Sequence, residues 1–152
     1  MIEPRISPQL PDWIKEHLKN YLASNGENGH MWDATLGGGT GMVPTLLLTT
    51  IGRKSGVALT LPLIYGQRGN AYVVIASKGG APAHPAWYLN LQANPEVGLQ
   101  VKAERFNARA RTATGAERAA LWQQLVEIYH PYGKYQVTAG AREIPVVVLD
   151  PV

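Results

Sequence analysis

The chain has 152 residues, 45% of them hydrophobic, no cysteine and a formal net charge of +3. That length suits one domain with a real core; the missing thiols exclude a disulfide framework, an iron–sulfur cluster, a thiolate zinc site and a Cys nucleophile. No run approaches the roughly 18 apolar residues of a membrane span and Met1-Ile2-Glu3-Pro4-Arg5 carries no signal-peptide pattern, so a cytoplasmic location is expected.

Residues 12–24 read as an amphipathic helix, with Trp13, Ile14, His17, Leu18, Tyr21 and Leu22 at i, i+3, i+4 spacing after Pro11-Asp12. Gly37 to Gly41 reads as a flexible connector. Val43–Thr50 and Val57–Tyr65 read as strands around the turn Gly52-Arg53-Lys54-Ser55-Gly56. Pro62 interrupts the second strand, implying an edge, a bulge or a ligand-facing break. Ala71–Ala76 completes a β-meander. A Gly- and Pro-rich loop, 77–85, leads to a short helix over 86–94. Strands follow over 97–102 and 105–113. Thr114-Gly115-Ala116-Glu117 has the form of a capping box and opens a helix that Pro131 ends or kinks. Ile144–Leu149 is a final strand. Six strands without sustained β/α alternation predict a mainly β, α+β fold: a closed antiparallel barrel with helices outside it.

Several chemistries find no support. His17, His30, His84 and His130 lack metal-ligand spacing. There is no G-x-S-x-G. Gly52-Arg53-Lys54-Ser55 lacks the Walker glycine before its lysine, and G-x-G-x-x-G from Gly37 fails at Met42.

The charge is unevenly spread. Residues 34–95 contain no carboxylate but hold Arg53, Lys54, Arg68 and Lys78. Such a stretch suits a small anionic ligand better than a nucleic acid. Arg53-Lys54-Ser55 reads either as a solvated hairpin turn or as an anion nest with a guanidinium fork. Ser77-Lys78-Gly79-Gly80 is either a plain strand-to-helix loop or a place where a ligand approaches backbone closely. Trp87 and Tyr88, with Leu91, either pack on the barrel or wall a flat cofactor. Tyr129, Tyr132 and Tyr135 are spaced by three, but Pro131 and Gly133 argue for a bend. Their hydroxyls could orient a substrate or deliver a proton.

Leu48-Thr49-Thr50-Ile51-Gly52-Arg53-Lys54-Ser55-Gly56 resembles the signature of the deazaflavin-dependent nitroreductase family of actinobacteria. Ala76-Ser77-Lys78-Gly79-Gly80-Ala81 is similar to its second motif. His84-Pro85-Ala86-Trp87-Tyr88-Leu89-Asn90-Leu91 resembles its third, and the tyrosine cluster and Ile144-Pro145-Val146-Val147-Val148 follow in order. The resemblance covers about residues 36–150, leaving residues 1–35 as an N-terminal helix and linker before a 36–152 barrel. It implies a six-stranded split β-barrel of the flavin-reductase type and the coenzyme F420, a deazaflavin with a phosphate and an oligoglutamate tail. FMN is the alternative cofactor. Arg53, Lys54 and Ser55 would hold the phosphate, and Leu59, Thr60, Leu61, Pro62, Leu63 and Ile64 would line the groove. Ala76, Ser77 and Lys78 would lie along the ring, with Ala86, Trp87 and Tyr88 closing its far side. Tyr132 would face the substrate, flanked by Tyr129 and Tyr135, with Tyr132, Ser77 or solvent giving the proton. The implied activity is hydride transfer to an enone, quinone, unsaturated lactone or nitroaromatic, or else non-catalytic carriage of F420. Leu59 stands where relatives often carry an arginine, and Arg68 offers compensation. The N-terminal helix is expected over the barrel mouth, with peripheral membrane contact open. A monomer or homodimer and no nucleic-acid partner complete the expectation.

Overall fold

The structure, a computed structural model, describes residues 1–152. Eight strands form one antiparallel sheet: β1 (Met31–Asp33), β2 (Met42–Ile51), β3 (Ala58–Ile64), β4 (Gly66–Arg68), β5 (Ala71–Ile75), β6 (Glu96–Val101), β7 (Glu104–Thr112) and β8 (Val146–Pro151). The strand order is β1-β2-β6-β7-β8-β5-β4, and β3 pairs only with β2, on its other flank. The six expected strands are the six long ones. The two additional strands, β1 and β4, have three residues each. Too short for a periodic signal, they extend β2 and β5.

Alternation builds two cores from one sheet. Val147 and Leu149 of β8 point into the barrel with Leu46, Leu48, Val74 and Leu99. Val146 and Val148 point the other way, toward Leu121, Leu125 and Tyr132 on the outer helices. Those helices are α3 (Gly115–Ile128) and α4 (Pro131–Thr138); α1 spans Asp12–Ser24 and α2 Ala86–Ala93. α2 is less an outer helix than a plug: its Trp87, Tyr88 and Leu91 enter the barrel core.

Three local expectations are corrected. Pro131 starts a helix rather than forming a bend, because proline's fixed φ suits the first turn, and Gly133 is carried inside α4. Thr114 makes no side-chain cap. Glu117 instead accepts two bonds from Arg111, at 2.6 and 2.9 Å, a charge-assisted pair that outcompetes a neutral backbone donor. Nor is Gly37–Gly41 a flexible connector. Ala34–Gly37 forms a 3-10 turn capped by Asp33, and a Cβ at Gly39 would lie 2.9 Å from the Tyr129 ring. Gly37 and Gly39 are required by close packing, while Gly38 and Gly41, with open space around them, take φ of 89° and 68°.

α1 lies against β3 and the outer side of β2, burying Leu18 and Tyr21 on Leu47. The Tyr21 hydroxyl donates to the Thr45 carbonyl at 3.0 Å and accepts from Lys102 N–H at 2.9 Å. It therefore ties α1 to β2 and to the β6–β7 turn. Tyr21→Phe strands both backbone groups and should lower stability by about 1–3 kcal/mol, read as an earlier urea midpoint at unchanged slope. An unmoved midpoint would deny the tie.

Candidate active site

The β2–β3 connection is held from inside and outside. Gly52 N–H donates to the Val57 carbonyl at 2.9 Å, and Gly56 N–H donates to the Gly52 carbonyl at 2.8 Å. Asn90 of α2, 3% exposed, reaches this turn. Its Oδ1 accepts from both the Arg53 backbone N–H and Arg53 Nη1, each at 3.1 Å. Its Nδ2 donates to Thr50 Oγ1 at 3.1 Å. Arg53, Lys54 and Ser55 stay exposed at the surface. The turn is thus a fixed cationic platform with an amide brace behind it. Asn90 was inside a quoted motif, but nothing in its local sequence shows that it braces a turn 37 residues away.

β3 runs from this platform as a free edge. Tyr65 N–H bonds to the Pro44 carbonyl, and the Val57 carbonyl bonds to Gly52 N–H, so the odd-numbered positions face β2. Ala58, Thr60, Pro62 and Ile64 turn their backbone groups away from the sheet. Pro62 does not interrupt the strand: it pairs with Leu47, and its missing N–H falls on the side where no ladder bond is lost. The N-terminal segment touches the start of this edge: Arg5 N–H donates to Thr60 Oγ1 at 2.9 Å, and Arg5 Nη1 to the Ala58 carbonyl at 3.4 Å.

The far end of the edge opens on a cavity of about 440 Å³. Leu61, Pro62, Leu63 and Ile64 form one wall, Ser77 and Gly79 another, and Tyr129, Tyr132 and Tyr135 a third. Trp13, Ile14 and His17 of α1, with Trp32 and Leu36, also line it. Between the cationic turn and the first cavity residue of the strand, Leu61, lie Ala58 to Thr60, about 10 Å of extended chain.

The tyrosine wall is a chain of contacts. Tyr129 and Tyr132 pack edge to face with centroids 5.0 Å apart. The Tyr129 hydroxyl donates to the Gly37 carbonyl at 2.9 Å and lies 3.2 Å from the Tyr135 hydroxyl. Burial first, then the neighbouring phenols, pushes the Tyr132 hydroxyl far above the usual tyrosine range. Burial and the Tyr135 hydrogen bond do the same to Tyr129. These groups are therefore neutral hydrogen-bonding groups, not bases.

The remaining expected residues separate. Ala76 is buried in the barrel core, and Lys78 is exposed with φ of 48°. Ala86 is exposed at the start of α2, while Trp87 and Tyr88 are buried in the core, and none of the three lines the cavity. Tyr88 is anchored by a 2.7 Å bond between its hydroxyl and Thr112. Leu59 and Thr60 lie along β3 between turn and cavity. Arg68 cannot stand in for a cation near Arg53: it lies on β4, past the opposite end of β3, where its charge acts on Glu117. Arg142 was also missed. Its guanidinium donates to the carbonyls of Ala76, Ser77 and Ala81 and to His84 Nδ1. No sequence signal precedes it.

The sequence profile of the F420H(2)-dependent quinone reductases matches residues 13–151. An F420H(2)-dependent quinone reductase of Mycobacterium tuberculosis is 38% identical over 151 residues, covering 97% of this chain and 94% of the relative. The solved F420-H2 dependent reductase FDR-A is 41% identical, with a TM-score of 0.65 over 70% of this chain and 94% of its own. A second solved chain, described as a domain-swapped dimer, is 36% identical with a TM-score of 0.68 over 91% of this chain and 98% of its own. The haem storage protein HutZ of Vibrio cholerae, 18% identical with a TM-score of 0.54, shares the fold alone. The split barrel, its free-edged strand and this agreement over nearly the whole length lead to one assignment: the chain belongs to the F420H(2)-dependent quinone reductase family.

Proposed function

We propose that this chain reduces quinone-type acceptors with reduced F420, binding the cofactor along the free edge of β3. One observation carries the reading: a single strand edge joins the exposed Arg53-Lys54-Ser55 turn to an apolar, tyrosine-walled cavity. The donor set fits the cofactor. A phosphate and an oligoglutamate tail need cations and N–H groups free of competing carboxylates, and residues 34–95 contain none. A flat ring needs an apolar slot about as large as this cavity.

When bound, reduced F420 supplies the hydride. The chain's part is to bind, orient and exclude water. Arg53, Lys54 and Ser55 hold the phosphate, with Asn90 fixing the Arg53 backbone. Leu59 to Ile64 line the groove, and Ser77 and Lys78 flank the ring, with Ala76 behind them. Tyr132, with Tyr129 and Tyr135 beside it, faces the acceptor. The hydroxyls of Tyr132 and Ser77 are the side-chain candidates for handing on the proton. Residues 1–35 belong to the same working unit, because Trp13, Ile14 and His17 complete the cavity wall.

Removing one charge-assisted phosphate contact should weaken F420 binding roughly 10- to 100-fold. Arg53→Ala and Lys54→Ala, measured by quenching of F420 fluorescence, should each show that loss. Wild-type affinity in both would place the phosphate elsewhere. Asn90→Ala should also weaken binding, because Arg53 loses its brace. Turnover of reduced F420 with menadione tests the activity itself, and none with any quinone would sink the reading.

The raised tyrosines make a second expectation. Tyr132 and Tyr129 stay protonated beyond the ordinary tyrosine value of 10.0. The kcat profile should therefore show no alkaline limb below pH 10 that Tyr132→Phe removes. Finding such a limb would mean that Tyr132 ionises in the working range.

A further inference from the structure

The loop between β5 and α2 has an unusual backbone account. Ser77 is right-handed helical, with φ −78° and ψ −38°, while Lys78, Gly79 and Gly80 take φ of 48°, 62° and 83°. A right-handed residue followed by a left-handed one makes three successive N–H groups converge on a concavity. The carbonyls of the loop are taken, except that of Gly79. Ala76 and Ser77 carbonyls accept from Arg142 at 3.0 and 2.6 Å, and that of Ala81 accepts from it at 2.9 Å. The Lys78 carbonyl accepts from Ala81 N–H at 3.1 Å, and that of Gly80 from Thr138 Oγ1 at 3.2 Å. The N–H groups of Ser77, Lys78 and Gly79 have no acceptor in the chain. Ser77 and Gly79 line the cavity.

From this geometry we infer that Arg142 is a positioning residue: it orients and polarises the Ser77 and Lys78 amides, which together with the Gly79 N–H serve as donors to an electron-rich carbonyl oxygen in the cavity. A trans peptide points its carbonyl and its N–H in opposite directions, and this chain has no cis bond. By holding the carbonyls of Ala76 and Ser77, the guanidinium turns the N–H groups of Ser77 and Lys78 away from itself. A cationic donor on a carbonyl also strengthens the N–H of the same peptide. The arrangement holds Lys78 in a backbone region that costs a non-glycine residue of order 1 kcal/mol. It also explains Gly80, where a side chain would run into Thr138 and come within 2.9 Å of Tyr135 Cα. Arg142 makes no ion pair. Its charge is spent on three carbonyls and His84 Nδ1, at 3.1 Å.

The inference rests on the reductase reading, since it takes the oxygen to belong either to the cofactor ring or to the quinone. The first measurement uses the wild-type chain and no turnover. On titration with oxidised F420, backbone amide resonances of Ser77, Lys78 and Gly79 should move downfield; if menadione must be added before they move, the oxygen is the acceptor's. Binding of F420 while all three amides stay still, with and without menadione, overturns the inference and leaves the reductase reading standing. Absence of any F420 binding overturns both.

The second measurement compares Arg142→Met and Arg142→Lys. Lysine keeps the charge but cannot reach four acceptors at once. Arg142→Met should lose roughly tenfold, the value of one good hydrogen bond, with Arg142→Lys recovering only part of it. A loss in F420 affinity at unchanged KM for menadione assigns the oxygen to the cofactor. A loss in menadione KM or kcat at unchanged F420 affinity assigns it to the acceptor. Folded variants with wild-type values for all three, or a lysine variant equal to wild type, would show that Arg142 merely closes the loop. Should Arg142→Met not fold, the lysine variant and the wild-type resonances decide.

Discussion

The parity of one strand governs the molecule. Because Tyr65 bonds to β2 and Val57 to Gly52 just beyond it, every second residue of β3 between them must turn its backbone polar groups outward. Nothing in the sheet follows on that side, since β3 pairs with β2 alone. An unpaired edge of this length is usually a hazard that a chain covers or blunts. Here Pro62 removes one outward donor, Arg5 occupies the start of the edge and α1 lies across the strand. What remains is a groove with a charged end and an apolar end.

The two cores keep that groove in shape. β5 and β8 send alternate side chains to the barrel interior and to the outer helices, so the sheet is packed on both faces. Tyr129, between α3 and α4, packs against Gly37 and Gly39, and α4 also meets the loop after β5. The cavity walls thus come from elements that cannot shift singly without opening a core. That rigidity suits the proposed work of holding a ring and an acceptor in register.

The division between what the sequence revealed and what it hid follows the range of the interactions. The hairpin turn, the edge signalled by Pro62 and the strands β5 and β8 are local patterns, and they were legible, whereas the sending of alternate β8 residues to two cores was not, because both faces are apolar. So was the missing carboxylate across residues 34–95, which the structure distributes over the turn, the edge and the loop. Trp87 and Tyr88 look equally suited to wall a ring or to fill a core; the seating of α2 inside the barrel packs both in its core, away from the cavity lining. Asn90 and Arg142 act across 37 and at least 58 residues of sequence, on backbone groups that no side-chain pattern announces. The turn at Ala34–Gly37 misled because glycines chosen for tight packing read the same as glycines chosen for freedom.

The charge account changes accordingly. With Arg68 committed to the Glu117 side, the proposed binding mode leaves the cofactor's anionic end to the exposed turn and to Arg5 at the start of the edge. Arg111, Arg118 and Arg105 are paired with Glu117 and Asp150, Glu143 and Glu3 respectively, so they add little field at the groove. Binding there depends less on the net +3 than on the absence of acids beside Arg53 and Lys54. An added carboxylate at Val57 would therefore cost more affinity than the same charge placed on α3, since the first competes with the phosphate directly and the second is separated from it by the sheet.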